Sequence, residues 1–503
     1  MKLCLIFSPF SSFTLVPLGI SYLKSYIKKN IPSIQVLNLD LSNHFYHNFS
    51  SAEFLNNVQH LCQICPRNNK PDCTGTLKQL RNGEIDYREL IRISDGMISR
   101  FKTKKFYDAK VYNRTLKAYN VVYYAFIRCI YGVLERSLQL MEEGSDLILE
   151  KYLFFKDLGI ISAEKPDIVG FSIFSKRQLY YSLALAKILK ASKNIKIIFG
   201  GAFISHLDNK KMLKIFDFID FIIYKEGELG LVELLKRLKA KRFDRVPNLF
   251  YRESNRVIQN QESVIYNLDQ IPPPDLTDYN LKRYFSPKPS VSTLFSRGCY
   301  WGACTYCAHH KTYTKPYRVR SIPDLIKELK TYQRMGIKHI SFADEGISAK
   351  HLDSISQALI KERIKMRFAV YARATGEFTE EIFTKIYRAG FRLIIWGIES
   401  FSQRVLNLMC KGTNVEESQE VLKRAHNAGL LNYVYLIHRF PTQTEEELLE
   451  DIKYLRKNSE YIFTARINVF WLENLSPIFY NFKKFGIKSI KLKPLIKTKK
   501  GTL

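Results

Sequence analysis

Long apolar runs are missing from this 503-residue chain. No stretch of about eighteen apolar residues occurs, and the nearest, 121–134, is interrupted by Arg128. A membrane-spanning helix is therefore not expected. A secretion signal is missing too: the apolar residues 2–7 are too few, and no small-residue cleavage site follows. The expected compartment is the cytoplasm. Acidic side chains are scarce, 48 against 78 Lys and Arg, for a net charge of +30. Such an excess suits a nucleic-acid partner. The basic residues are nevertheless spread along the chain without an aromatic-interleaved stripe, which argues for lysine-covered solvated faces instead. Cysteine is sparse at nine residues, so a disulfide scaffold is not expected. In a reducing compartment closely spaced cysteines read as metal ligands or catalytic thiols. Two groups qualify, Cys62/Cys65/Cys73 and Cys299/Cys304/Cys307, while Cys4, Cys129 and Cys410 sit in apolar or helical patterns and read as core.

The periodicity alternates between strand and helix at both ends of the chain. Short apolar strands are predicted at 2–7, 35–39, 167–173, 195–199 and 218–224, with helices at 18–29, 178–191 and 230–238. Strands alternating with helices imply a parallel sheet covered on both faces, here a Rossmann-like domain over 1–245. Residues 41–150 have a helical period and read as an insertion. Residues 246–290 read as an extended linker stiffened by Ile271-Pro272-Pro273-Pro274. A second series follows over 291–480, with strands predicted at 291–296, 339–342, 366–371, 393–396, 433–437 and 467–471. Six such units suggest a partial (β/α)6 TIM-like barrel with its chemistry at the strand C-terminal ends. Residues 481–503 read as a short basic tail. The predicted fold class is α/β throughout.

The segment Ser296-Arg297-Gly298-Cys299-Tyr300-Trp301-Gly302-Ala303-Cys304-Thr305-Tyr306-Cys307 carries the chemistry. Three thiolates just after a strand can converge on one soft metal centre. A structural zinc would take a fourth ligand, which His309 or His310 offers. Three ligands alone suit a four-iron cluster with one iron left open. The stretch resembles the radical SAM superfamily, in its cobalamin-binding-domain-containing class; the family's spacing is C-x3-C-x2-C with an aromatic residue before the third cysteine. Tyr306 matches that aromatic position, which in the family lies against adenine. The chain has one residue more, C-x4-C-x2-C, which Gly298 and Gly302 can absorb.

The resemblance covers about residues 291–480. It implies that Glu345, ahead of Asp344, receives the amino group of S-adenosylmethionine (SAM), and that Gly397 and Glu399 lie near SAM. Arg373 is a further candidate for the same cavity. His438-Arg439-Phe440-Pro441-Thr442-Gln443-Thr444 departs from the family at Arg439, where a glycine is usual, and at Gln443, where an acid is usual. SAM contacts are not carried over to that segment. Pro166-Asp167-Ile168-Val169-Gly170-Phe171-Ser172, Phe199-Gly200-Gly201 and Lys225-Glu226-Gly227-Glu228 are similar to a cobalamin-binding domain, which implies Gly200 and Gly201 as cofactor contacts. The Asp-x-His-x-x-Gly pattern that supplies an axial histidine is absent, so a degenerate domain that packs on the barrel stays open.

The resemblance thus implies a 4Fe-4S cluster, SAM, and cobalamin as a further cofactor. SAM would be cleaved reductively, hydrogen would be abstracted from an unactivated carbon, and with cobalamin that carbon would be methylated. A low-potential flavodoxin- or ferredoxin-type electron donor and a small-molecule or peptide substrate follow. Tyr317-Arg318-Val319-Arg320-Ser321 resembles enzymes acting on ribosomally made peptides. A tRNA-modifying enzyme without cobalamin and a non-catalytic zinc-binding protein remain as alternatives. Cys62, Cys65 and Cys73, with His60, form a second metal candidate, though partly buried unligated thiols are the simpler reading.

Overall fold

The computed structural model describes residues 1–10, 14–48, 100–108, 110–112, 114–115, 134, 148–192, 194–309, 316–498 and 501–503. Most of the predicted insertion, with Cys62, Cys65, Cys73, His60 and Cys129, therefore lies outside the described residues, as does His310. Two compact units divide the chain: Met1–Val264, Ile271–Pro287 and Lys493–Leu503 form the first, and Ile265–Gln270 with Lys288–Leu492 the second.

The first unit is built on a seven-stranded sheet. Strands β1 (Lys2–Phe7), β2 (Gln35–Asp40), β3 (Ile168–Ser172), β4 (Lys196–Gly200) and β5 (Phe221–Ile223) pair in parallel in the order β2-β1-β3-β4-β5. Their runs of consecutive apolar residues follow from burial on both faces. Helices Leu18–Asn30, Lys176–Ser192 and Asn209–Ile215 make the crossovers from β1 to β2, β3 to β4 and β4 to β5, and Gly227–Arg237 follows β5. This strand order reverses direction between β1 and β3, so a crevice opens beyond the carboxyl ends of those two strands.

Two segments depart from expectation. The residues read as extended linker instead contribute β6 (Leu249–Glu253) and β7 (Arg256–Gln259), an antiparallel hairpin that continues the sheet from β5. The prolines that suggested a linker lie outside this hairpin, and Leu249, Phe250 and Tyr251 are buried in the sheet. The basic tail folds back as a small hairpin, Lys497–Thr498 with Gly501–Thr502, and its apolar Leu495, Ile496 and Leu503 join the first unit's core. Lysine content hid those three anchors. Residues 271–287 are pinned to the same unit by charge: Lys24 Nζ lies 2.6 Å from Asp278 Oδ2 and 3.5 Å from Asp275 Oδ1, and Tyr284 Oη donates to Asp40 Oδ2 at 2.7 Å.

Asp157, on the helix Ile148–Ala163, accepts a hydrogen bond from Tyr181 Oη within the core. Burial pushes its carboxyl up to about 7, although the tyrosine bond pulls the other way. A carboxyl raised in the folded state lends stability that is complete below its unfolded value of about 4 and is lost as pH rises through 7. Asp157→Asn should therefore lose less stability than the parent between about pH 4 and 8, by roughly 2–4 kcal/mol. Urea denaturation of both proteins across that range measures the difference; parallel curves would refute it.

The second unit is a six-stranded, all-parallel sheet. Its strands β8 (Ser290–Thr293), β11 (His339–Phe342), β12 (Arg367–Ala372), β13 (Phe391–Glu399), β14 (Leu431–His438) and β15 (Thr464–Val469) are paired in chain order. Between the first two, β9 (Ser296–Arg297) and β10 (Arg318–Val319) form a short antiparallel pair. The last strand begins three residues earlier than the pattern suggested, because Thr464 already pairs with Tyr433. Helices Ile322–Arg334, Ala349–Lys361, Glu380–Ala389, Val415–Asn427 and Glu445–Lys457 each start at a Ser, Thr or Asn whose side chain accepts a backbone N–H of the first turn. Trp396 of β13 is fully buried against Phe378 and Phe383, and its Nε1 donates to Asn432 Oδ1 at 2.8 Å. With every strand parallel, all carboxyl ends and the loops that follow them lie at one end. No helix among the described residues is long and apolar enough to cross a membrane.

Candidate functional site

The three cysteines occupy the loop that leaves β9, at that common end. Gly298 (φ +88°) and Gly302 (φ +63°) take left-handed conformations. They are the two positions expected to absorb the additional residue, and glycine adopts this backbone without strain. The loop is fastened from both sides. Thr305 N donates to Met409 O and Thr305 Oγ1 to Leu408 O, both at 2.9 Å; Ile478 N donates to Thr305 O at 2.9 Å and Ala308 N to Glu473 Oε2 at 3.1 Å. Cys299, Cys304 and Cys307 are free and half-buried.

Burial raises the Cys304 thiol despite the nearby Lys411 ammonium, and it pushes Cys307 up to about 12, helped by Cys304, Glu345 and Glu473. Such thiols release their protons only to a cation that replaces them. Among the described residues no three His, Cys, Asp or Glu side chains are drawn together as a ready-made metal shell. The donor set is still that of a thiophilic centre: three sulfurs in one glycine-hinged loop.

The two acids after β11 have separate tasks. Asp344 is buried and accepts Phe295 N at 3.1 Å and Ser296 N and Oγ at 2.5 Å each, so it shapes the turn that feeds the cysteine loop. Burial pushes its carboxyl up to about 6 against those bonds. Glu345 turns the other way and meets His309 Nδ1 at 3.1 Å. Burial lowers that imidazole's basicity, but Glu345 and Glu473 outweigh it and raise the net value.

Glu399 closes β13 at φ +68°, after a register shift against β14 between Gly397 and Glu399. Bulges re-aim side chains in this way. Its Oε1 lies 2.9 Å from Lys411 Nζ, and that ammonium also donates to Tyr306 Oη at 3.4 Å. Burial works against the ammonium, yet Glu399 and Cys304 hold Lys411 above the ordinary lysine value. Tyr306 is driven well above the usual phenol range by burial and then by Glu399. A Cβ at Gly397 would stand 2.7 Å from Glu399 Oε1 and 2.9 Å from Lys411 Nζ, so the glycine keeps room for the pair.

Arg373, just past β12, is buried; its Nη2 donates to Lys411 O at 2.6 Å and Gly412 O at 2.8 Å. The cysteines, Tyr306, Glu399, Gly397 and Arg373 thus belong to one constellation. Lys411, Trp301, His309 and Glu473 complete it, and no local spacing signalled Lys411 or Glu473. Arg439 (φ +59°) is exposed at the end of β14, and Gln443 binds Phe440 N at 3.2 Å and Asp451 Oδ2 at 3.1 Å. Both departures are thereby accommodated within the loop.

Gly200 and Gly201 lie in the first unit, at the end of β4. Gly201 (φ +98°) would set a Cβ 2.5 Å from the Ile173 backbone, so close packing alone requires glycine there. Beside this turn Phe174 is 63% exposed, an apolar surface at the mouth of the β1/β3 crevice. Polar groups at the crevice are already met: Gln178 Nε2 donates to Ser8 O and Phe174 N to Gln178 Oε1, both at 2.7 Å.

The family model described as the radical SAM superfamily matches residues 293–455. An uncharacterized methyltransferase of Pyrococcus horikoshii is 29% identical over 317 residues, covering 61% of this chain and 68% of that protein. A putative methylthiotransferase of Methanocaldococcus jannaschii is 24% identical over 302 residues, covering 57% and 64%. The radical SAM methyltransferase TsrM from Kitasatospora setae, solved with cobalamin and a [4Fe-4S] cluster, has a TM-score of 0.61 at 13% identity, over 95% of this chain and 73% of that one. The cobalamin-dependent radical enzyme OxsB, with aqua-cobalamin and SAM bound, has a TM-score of 0.58 at 18% identity, over 96% and 56%. The chain spans little more than half of OxsB and about two thirds of the two sequence relatives.

Proposed function

With residues 293–455 being a radical SAM domain, we propose that this chain is a cobalamin-dependent radical SAM methyltransferase acting on an unactivated carbon of a small-molecule or peptide substrate. The observation that carries the reading is the cysteine loop with three free thiols, lying beside a buried Glu399–Lys411–Tyr306 network. When bound, the cluster supplies the single electron that splits the sulfonium of SAM, and cobalamin supplies a carrier for the methyl group.

The chain's own residues do the holding. Cys299, Cys304 and Cys307 would hold the cluster as thiolates. Glu345, whose Oε1 lies 3.1 Å from His309 Nδ1, would offer a carboxylate to the ammonium of SAM in a charge-assisted bond. Glu399, paired with Lys411, faces the Gly397 gap and offers an acceptor to a hydroxyl group. In the first unit Phe174 and the Gly200–Gly201 turn would carry cobalamin at the β1/β3 crevice. The electron donor is a flavodoxin- or ferredoxin-type protein.

Anaerobic purification with iron, sulfide, zinc and cobalamin quantified tests this reading. Iron and sulfide in cluster amounts, cobalamin equal to protein, and reductive SAM cleavage are expected. Iron without cobalamin removes methyl transfer from cobalamin; zinc without iron removes the whole reading.

A further inference from the structure

Residues 408–412 present five successive backbone carbonyls, and every one accepts a hydrogen bond from the cysteine loop or from Arg373. Leu408 O and Met409 O take Thr305 Oγ1 and N, and Cys410 O takes Trp301 Nε1 at 2.9 Å. Lys411 O and Gly412 O share Arg373 Nη2, at 2.6 and 2.8 Å. A helix would have spent these carbonyls on its own N–H groups. Instead Cys410 (φ +49°) and Gly412 (φ +64°) are left-handed, which breaks the helical pattern after Leu408 and turns the row outward.

Arg373 joins the two sides of this arrangement. Its guanidinium carbon lies 3.9 Å from the Trp301 ring centre and 5.6 Å from that of Tyr300, so it packs against the residues between Cys299 and Cys304. A Cβ at Gly412 would stand 2.1 Å from the Trp301 ring, so the indole lies directly on the carbonyl row. Arg373 Nε is buried and without a hydrogen-bond partner among the described residues. A buried donor left unmet is unfavourable, and an acceptor in the filled site would satisfy it.

We propose that Arg373 is a positioning residue that locks the cysteine loop onto the 408–412 carbonyl row in its cluster-receiving shape, and that its Nε–H donates to an acceptor brought by the occupied site. The inference rests on the radical SAM reading, and its mechanism is geometric: one guanidinium nitrogen reaches two carbonyls while the face of the plane packs on the indole. Lysine keeps the charge but lacks the plane that packs on the indole.

The test uses the full chain, reconstituted anaerobically with iron and sulfide, as parent, Arg373→Lys, Arg373→Gln and Trp301→Phe. Stripping of iron by a chelator is followed by absorbance, and the reduced cluster by electron paramagnetic resonance. Both Arg373 variants should lose iron about tenfold faster or more, with an altered resonance, and Arg373→Lys should not rescue. Trp301→Phe keeps an aromatic ring but removes the indole N–H, and should show a smaller acceleration. Stripping within twofold of the parent and an unchanged resonance in Arg373→Gln overturn the inference, as does full rescue by lysine. Should Arg373→Gln fail to fold, Trp301→Phe decides by the same two measurements. If the parent itself takes up no cluster, the radical SAM reading falls, and near-ultraviolet circular dichroism of the metal-free proteins decides for Arg373. A spectrum unchanged in Arg373→Gln, or in Trp301→Phe beyond loss of the indole itself, refutes the lock.

Discussion

Alanine at Cys299, Cys304 or Cys307 is expected to abolish iron retention and SAM cleavage while changing the stability of the metal-free protein by less than about 1 kcal/mol. All three thiols are half-buried in a loop rather than packed in a core, so removing one sulfur leaves no large cavity. The same substitution removes a third of the protein's donors to the cluster, and the raised thiols Cys304 and Cys307 have no reason to ionise without the cluster. Cys4 is the control. It is fully buried in β1, so Cys4→Ser should lower the melting temperature and leave iron content unchanged. Iron and sulfide analysis with thermal melts on the four variants separates the two behaviours. A Cys304→Ala protein that keeps parental iron would end the cluster assignment.

Lys411→Met is expected to destabilise the protein by about 3–5 kcal/mol, the usual result of leaving one member of a buried ion pair alone. Lys411 and Glu399 are 6% and 9% exposed, 2.9 Å apart, and neither Tyr306 nor the sulfur loop supplies a replacement cation. Because the folded protein holds the ammonium above its ordinary value, the pair's contribution is complete below that value. It is lost only as pH rises beyond it, so the penalty should stay level from roughly pH 6 to 9. Pairing Lys411→Met with Glu399→Gln should recover much of the loss, since no unpaired charge is left buried. Denaturant melts of the two single variants and the double variant measure the coupling; additive losses would show that the pair does not act as a unit.

Much of the fold was legible because its signals are local. Apolar runs of four to six residues marked nearly every parallel strand. The β6–β7 hairpin escaped notice because the nearby prolines dominated the composition, although Leu249–Tyr251 carried the buried side chains. The tail hairpin escaped because three apolar residues were outnumbered by lysines.

The cysteine triplet was readable for the same reason. Its chemistry depends on residues within nine positions of one another, so spacing reports it directly. Order among the acids was a question of direction: Asp344 and Glu345 are neighbours, and only the backbone path sends one into the β8–β9 turn and the other toward His309.

The amino-acid sequence by itself determined the alternating strands and helices, the donor set of three sulfurs, and the glycines at which their loop bends, because each depends on neighbours along the chain. The tertiary structure alone decided that Lys411 meets Glu399, that Trp301 meets Cys410 across 109 positions, and that Arg373 ties the row between them. Those contacts come from parallel strands delivering their carboxyl ends to one place. Nothing in a local pattern encodes which distant loops will share it.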